Sequence, residues 1–431
     1  MNVLLLILAV AFWGSLLLLA HTYAVYPVLV RLLAKGRKLP DCRFEDEADL
    51  PEVAVLMAVY NEERVLEATL ASIVASDYPA EKLRIYIGSD GSTDGSDAIV
   101  RRFAEADHRV RLCVFGGRNG KIRIVNHLAE GAATSFADPD KALFVLCDAN
   151  IAWTPPLLRR LASHFRRDEV GLVGAAVCDQ VREHAGIGDQ EEAYVGQENL
   201  VKFAEGVLWG RVMGAFGACY AMRSRLFVPV PTAHIVDDFY QTFACLEQGS
   251  DAIVDLEAVC HESVSTDIRE EFRRKRRIAA GNFQNLRRFF RFLQPWNSDL
   301  ATPFAFWSHK GLRWCGPFLL LAALLSGLVL AAFSPLYLVP LSGFLLLGAM
   351  ALGDRLGIRL GGPVAKLCRF ARYFLSMNAA IFLGCLDFLR GPKTSVWEPT
   401  RREGVPAAPT APVPAIRAGT SETRPEPALR R

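Results

Sequence analysis

Leu83-Arg84-Ile85-Tyr86-Ile87-Gly88-Ser89-Asp90-Gly91-Ser92-Thr93-Asp94-Gly95-Ser96 decides the fold of this chain. An apolar, β-rich run ends in carboxylates and a glycine-rich turn, and the stretch near Asp94–Glu105 that follows predicts a helix. The pattern returns at Ala142-Leu143-Phe144-Val145-Leu146-Cys147-Asp148-Ala149-Asn150. Carboxylates at the carboxyl ends of buried strands point into the crevice where open α/β sheets bind ligands. A pair of them beside a glycine-rich turn suits a nucleotide whose diphosphate is bridged by a divalent metal. The alternative is local, since Asp-Gly and Ser-Thr-Asp-Gly are ordinary turn chemistry and let Asp90 and Asp94 act as turn formers and helix caps.

Outward from that stretch, Pro51 to about Arg291 alternates short apolar strands with amphipathic helices. Val53–Val59, Leu83–Ser89, Val110–Phe115 and Ala142–Cys147 predict strands. Glu62–Ser76 predicts a helix with Val65, Leu66, Leu70 and Ile73 on one face, and Gly120–Thr134 predicts another. Gly171–Val177, Phe216–Met222 and Ala252–Leu256 extend the sheet. Alternation of this kind gives an α/β fold with a mostly parallel sheet covered by helices on both faces.

Hydrophobic residues make up 51% of the chain and concentrate at its ends. From Val3 to Val30 the polar side chains are Ser15, His21, Thr22 and two tyrosines, ample for the ~20 residues that span a bilayer. Further spans are expected at Pro317–Phe333, Leu336–Leu352 and Phe374–Leu389. The expected organisation is an anchor at 1–33, a soluble domain at 51–291, an interfacial helix at 300–314, a membrane region at 315–390 and a disordered Pro/Ala-rich tail at 403–431. Arg31, Lys35, Arg37 and Lys38 put the C-terminal side of the first span in the cytoplasm. One N-terminal and three C-terminal spans would place the tail outside, whereas Arg390, Lys393, Arg401 and Arg402 favour inside. The conflict disappears if Phe374–Leu389 dips into the bilayer without crossing.

The net charge of +3 comes from juxtamembrane Lys and Arg, and no basic stripe with interleaved aromatics points to nucleic acid. Ten cysteines without metal spacing read as small apolar residues of a reducing compartment. No ionisable residue lies deep in a span, with Asp387 near an end, which argues against a transporter.

Val59-Tyr60-Asn61-Glu62-Glu63, Ser-Asp-Gly-Ser-Thr-Asp-Gly-Ser, Gly120-Lys121, Asp148-Ala149-Asn150 and Val236-Asp237-Asp238-Phe239 follow one another in an order that resembles the family 2 glycosyltransferases. The flanking segments resemble the family's bacterial, membrane-bound, polysaccharide-making branch. The resemblance implies a GT-A fold, which is a Rossmann-like mixed sheet, flanked here by transmembrane helices. It implies inverting transfer from a nucleotide-sugar donor, UDP-linked, to a growing exopolysaccharide, cell-surface glycan or lipid-linked acceptor. It further implies Mg2+ or Mn2+ as cofactor and a cytoplasmic catalytic domain on the bacterial inner membrane. Lipid is then a partner, with room for export or polysaccharide-assembly partners.

Residue by residue, the resemblance puts Tyr60 and Glu62 at the nucleotide base and Asp90 at the base or ribose, where a carboxylate accepts from N–H and O–H donors. Tyr60–Glu63 also reads as a helix-capping segment. Lys121 starts a helix, where backbone N–H groups and an ammonium favour an anion. Asp148 and Asn150 stand in the metal motif, with an amide in place of its second acid. Asp238 matches the family's catalytic base, and Asp237 is assigned to capping or positioning because adjacent helical residues point about 100° apart. On the helix expected at Asp267–Leu286, Arg277 is retained from the Gln-x-x-Arg-Trp motif and could hold the diphosphate. Ile278 stands where that motif has tryptophan, so the acceptor sugar must be gripped otherwise, with Phe283 and Trp209 as candidates. The basic run Arg273–Arg277 also reads as a face attracted to anionic lipid, and Asp189–Glu205 reads as a solvated helix face. Two rival readings remain: a non-processive glycolipid or lipid-linked oligosaccharide transferase, and a catalytically silent membrane scaffold.

Overall fold

The computed structural model describes residues 3–178, 188–262, 267–296, 299–358 and 361–391 of the chain. The tail from Glu403, with Lys393, Arg401 and Arg402, lies outside the described residues. The eight strands are β1 (Val53–Val59), β2 (Leu83–Ser89), β3 (Val110–Val114), β4 (Leu143–Cys147), β5 (Ala152–Trp153), β6 (Val170–Cys178), β7 (Cys219–Arg223) and β8 (Asp251–His261). They form one sheet in the order β3-β2-β1-β4-β7-β6-β8-β5. β3, β2, β1 and β4 are parallel, β7 runs against both β4 and β6, and β6 is parallel to β8. All residues of β1 and β4 are buried, as strands covered on both faces require. Their side chains alternate between two cores, with Leu56, Phe144 and Leu146 in one and Val55, Val145 and Cys147 in the other.

The helices are α1 (Val3–Ala20), α2 (Tyr26–Leu33), α3 (Leu66–Val74), α4 (Ser96–Ala106), α5 (Lys121–Ala133), α6 (Leu157–Ser163), α7 (Gly188–Trp209), α8 (Asp237–Glu247) and α9 (Ile268–Phe289). The C-terminal region adds α10 (Ala301–Phe306), α11 (Leu312–Trp314), α12 (Gly316–Ala331), α13 (Leu338–Arg355) and α14 (Gly362–Arg390). Several boundaries differ from expectation, and three of the differences have a visible cause. The first helix of the domain starts at Leu66 and not Glu62, because Asn61 takes a φ of 53°, outside helical geometry. β7 starts at Cys219 and not Phe216, because the chain turns at Gly217 against Asp238. β8 runs past Leu256 to His261, pairing β6 and β5 beyond a register shift.

The larger correction concerns α7. Glu191, Glu198, Lys202 and Glu205 are buried on one side of the helix, not solvated, because the partners of the three glutamates come from segments far off in sequence. His309 lies between Glu198 Oε1 at 3.0 Å and Glu205 Oε1 at 2.7 Å. Lys310 donates to Glu198 Oε2 at 2.6 Å, Arg313 also pairs with Glu198, and Tyr26 donates to Glu205 at 2.9 Å. Burial alone would raise the Glu198 carboxyl pKa, yet Lys310, His309 and Arg313 hold it well below its ordinary value. The segment expected as an interfacial helix at 300–314 is therefore packed onto α7, with Phe306 and His309 fully buried.

The basic run of α9 is only partly open: Arg273 and Arg277 are exposed, whereas the three between them are paired. Lys275 bridges Glu191 and Glu271, each at 3.2 Å, and Arg274 pairs with Glu271 at 3.3 Å. Arg276 makes two hydrogen bonds to Asp387 of α14, at 2.6 and 2.7 Å. α14 lies along α9, with Tyr373 donating to Glu191 and Phe388 stacked on Phe283.

Three helices, Val3–Leu33, Pro335–Arg355 and Gly362–Arg390, are long and apolar enough to cross a membrane. A fourth span would be made by Ala301–Trp314 and Gly316–Ala331, which meet at a 63° bend. Large apolar side chains stay uncovered along them, such as Leu17 (68% exposed) and Leu345 (75%). The C-terminal half of α14 is laid against α9.

Removing one partner from a buried ion network leaves an uncompensated charge and costs about 3–5 kcal/mol. Glu198→Ala should therefore lower the thermal unfolding temperature by several degrees. Gln197→Ala, on the exposed side of the same helix, should change stability by less than about 0.5 kcal/mol. A Glu198→Ala protein as stable as the parent would mean the network contributes nothing to the fold.

Candidate functional site

The carboxyl ends of β1, β2 and β4 lie along one rim of the sheet because these strands are parallel. The loop after β1 and the loop after β2 brace each other. Asn61 Oδ1 accepts from the Thr93 N–H at 2.8 Å, the Glu62 N–H donates to Ser96 Oγ at 2.9 Å, and Glu63 Oε2 accepts from the Gly95 N–H at 2.8 Å. Asp94 accepts from the N–H groups of Glu63 and Ser96 at 3.1 and 3.0 Å, so it is the turn former that its sequence suggests.

Asp90 is fully buried, and its carboxylate accepts from the N–H of Asn119 at 2.5 Å, the N–H of Gly120 at 3.0 Å and Arg118 Nε at 3.2 Å. In this conformation it holds the loop that leads into α5. That loop can pass so close because Gly91 has a φ of 71° and any Cβ there would meet the Gly117 carbonyl oxygen at 2.9 Å. Arg118 also stacks on Tyr60, its guanidinium carbon 3.2 Å from the ring centre. Tyr60, Asp90 and Arg118 thus form one wall of the site.

The held loop delivers Lys121 as the first residue of α5. Lys121 Nζ donates to Asp148 Oδ1 at 2.8 Å and lies 3.2 Å from Asp237 Oδ2. Desolvation pulls the lysine pKa down, but Asp148, Asp237 and Asp238 more than offset it and hold the ammonium well above its ordinary range. Val236 is the residue before α8 and no side chain caps the helix, so Asp237 is engaged by Lys121 and is not a cap. Asp238 accepts from the Phe239 N–H at 2.6 Å. Burial and the neighbouring Asp237 push its pKa up to about 6, against the lowering pull of Lys121, the Phe239 N–H and Lys202.

Arg277 lies on the exposed side of α9. Desolvation and neighbouring Arg274 lower its pKa, while Asp148 and Asp237 pull it back up, so both carboxylates act on it. Ile278 beside it is half-buried. Of the aromatics considered as its substitute, Phe283 stacks on Phe388 with ring centres 6.1 Å apart, and Trp209 meets Phe304 edge-on at 6.1 Å.

Among the described residues no three His, Cys, Asp or Glu side chains gather to enclose a metal ion. A divalent ion that bridges a diphosphate needs only one or two protein carboxylates, the rest of its shell being phosphate oxygen and water. Asp148, with its side chain 36% exposed, offers one such carboxylate. Asn150 is buried and its Nδ2 has no hydrogen-bond partner among the described residues. This donor set fits an ion held jointly with a substrate.

Arg118 and Tyr220 were not singled out from the sequence, and Lys202 was read only as part of a solvated helix face. A cation opposite a buried Asp90 was the available signal for Arg118. Lys202, buried with its ammonium 3.2 Å from the centre of the Phe216 ring, and Tyr220, an ordinary strand residue, gave none.

The family description "Glycosyl transferase family 2" matches residues 54–227, and "Glycosyl transferase family group 2" matches 143–351. An N-acetylglucosaminyltransferase of Rhizobium meliloti is 36% identical over 126 residues, 29% of this chain and 28% of that protein. A beta-monoglucosyldiacylglycerol synthase of Synechocystis is 26% identical over 224 residues, 49% of this chain and 44% of that protein. The chain thus matches less than half the length of these curated relatives. A solved mannosyltransferase of Pyrobaculum calidifontis, in complex with GDP-Man and Mn2+, superposes with a TM-score of 0.62 at 24% identity over 88% of this chain and 99% of that one, and shares the fold. Residues 54–227 thus match glycosyl transferase family 2, and the mixed, mostly parallel sheet has the GT-A fold.

Proposed function

We propose that the protein is a membrane-anchored, inverting glycosyltransferase that moves a sugar from a nucleotide-sugar donor, UDP-linked, to a glycan or lipid-linked acceptor. It would sit in the bacterial cytoplasmic membrane with its catalytic domain in the cytoplasm. The observation that carries this reading is the convergence of Lys121, Asp148, Asp237 and Asp238 from three separate elements at one rim of the sheet. The solved neighbour that holds GDP-Man and Mn2+ supports a nucleotide sugar and a divalent ion as ligands of such a fold.

In this reading Tyr60, Glu62 and the Asp90-held loop bind the nucleoside. Lys121 and Arg277 bind the diphosphate, since both are cations within reach of Asp148 and Asp237. Asp148 and Asn150 would hold Mg2+ or Mn2+, which when bound supplies positive charge to the diphosphate. Asp238 takes the proton of the acceptor hydroxyl as its oxygen bonds to the anomeric carbon. The bond from that carbon to the diphosphate oxygen breaks, and the electron pair leaves with the nucleoside diphosphate. Inversion follows because attack and departure occur on opposite faces of one carbon. A carboxylate raised to about 6 is a stronger base than an ordinary aspartate and is still ionised at neutral pH.

A second reading, a non-processive transferase that makes a glycolipid, draws support from Ile278 in the place of a stacking tryptophan. It is also supported by the likeness to a beta-monoglucosyldiacylglycerol synthase. Loss of a stacking platform shortens the stay of an acceptor between additions. The expected product is one or a few sugars per encounter, read by product length at early times with acceptor in excess. Long polymer appearing first would favour a processive synthase.

Asp238→Asn keeps the shape but cannot take a proton, so transfer should fall roughly 10²-fold or more with nucleotide binding kept. In the parent protein kcat/KM should decline as pH falls through about 6, because protonation removes the base. Near-normal turnover in folded Asp238→Asn would move the base elsewhere.

Asp148→Ala should abolish both activity and its dependence on Mn2+, whereas Asn150→Ala should be milder, because a charged oxygen binds a divalent ion more strongly than a neutral one. Titrating Mn2+ against turnover reads this difference, and equal losses would show that the two ligands are ranked wrongly.

A further inference from the structure

Tyr220 occupies a place that the proposed reaction leaves without a role. It pairs with Leu146 across β7 and β4, and Asp148 follows Leu146 by two positions, so the ring and that carboxylate share one face of the sheet. The same face is covered by α5 and α8, whose Ile122, Ile124, Phe239 and Phe243 join Tyr220 in one core. These helices begin with Lys121 and with Asp237 and Asp238. The phenol therefore lies on the face of the sheet that carries the charged cluster, near enough to Asp237, Asp238 and Asp148 for their charges to act on it. It is 1% exposed, and its hydroxyl has no hydrogen-bond partner among the described residues. Burial, then Asp237, Asp238 and Asp148, push its pKa well up, so the group remains an O–H donor throughout the neutral range.

An unbonded buried hydroxyl lowers stability, and phenylalanine would fill the same space without that penalty. What makes the hydroxyl useful is the state in which Lys121 leaves. In the resting arrangement the ammonium satisfies both Asp148 and Asp237. An anionic diphosphate competes for the same ammonium. When Lys121 turns to it, Asp237, buried at 8% exposure, loses its cation and needs another donor.

We propose that Tyr220 is a positioning residue: its hydroxyl donates to the Asp237 carboxylate when Lys121 engages the donor's diphosphate, and so fixes the start of α8 on which Asp238 sits. This rests on the glycosyltransferase reading above. Tyr220 touches neither sugar nor nucleotide, and acts through Asp237.

The test compares full-length, detergent-solubilised parent and Tyr220→Phe in turnover and in thermal unfolding without substrate. The expected result is a kcat reduced about tenfold, KM for both substrates within about twofold, and an unfolding temperature unchanged or raised by about 2 °C. A hydroxyl with an ordinary structural role would instead lower the unfolding temperature when removed. Unchanged kcat, or a fall in unfolding temperature together with kcat, overturns the proposal. A parent protein that turns over no nucleotide sugar removes the glycosyltransferase reading and this proposal with it, whereas an active parent matched by Tyr220→Phe removes this proposal alone.

Discussion

One ammonium organises the rim of this sheet. Lys121 reaches Asp148 after β4 and Asp237 at the head of α8, and without it two carboxylates and the adjoining Asp238 would repel one another in a half-buried place. Its position depends on Asp90, which is fully buried and closes the preceding loop through two backbone N–H groups and Arg118. Loop, helix start and strand ends are therefore coupled: a change at Asp90 would move Lys121, and with it the only cation that touches both acids among the described residues. The same ammonium is what an incoming diphosphate would compete for, so the interaction that stabilises the resting site is also the one that binding must rearrange.

Much of this arrangement was legible in the sequence. The apolar runs that end in Asp90 and Asp148 specify buried parallel strands, and their carboxyl ends meet at one rim whatever the details of the loops. Lys121 after Gly120, and the acids at 237 and 238, were readable as helix starts because turn chemistry marks them. What escaped was set by partners distant in the chain. Glu191, Glu198, Lys202 and Glu205 recur at helical spacing, and charged residues in that pattern normally face water. Here His309, Lys310, Arg313 and Lys275 return from over eighty positions away to pair with the glutamates, and no local pattern encodes that. Tyr220 escaped for the opposite reason: a tyrosine in a strand needs no explanation until its hydroxyl is found without a partner.

The ionic seam also ties the long apolar helices to the α/β domain. Tyr26 lies within the apolar segment Val3–Leu33, His309 within the first arm of the bent pair, and Tyr373 and Asp387 in α14, yet all four bond to α7 or α9. α9 carries Arg277, and α7 carries Lys202, whose charge reaches Asp238. The site is thus held from above by its loops and from the side by helices that lipid would surround, which gives a physical reason for a transferase of this kind to be studied with its apolar helices intact.

The central claim is that this rim binds a nucleotide sugar and breaks its glycosyl–phosphate bond. The most direct measurement is release of nucleoside diphosphate by the detergent-solubilised, full-length protein across a panel of nucleotide sugars with Mg2+ or Mn2+ present. The account predicts saturable release from one donor or a closely related pair, increased by an added glycan or lipid acceptor. Folded protein that releases nothing from any member of the panel, with acceptors supplied, would contradict it.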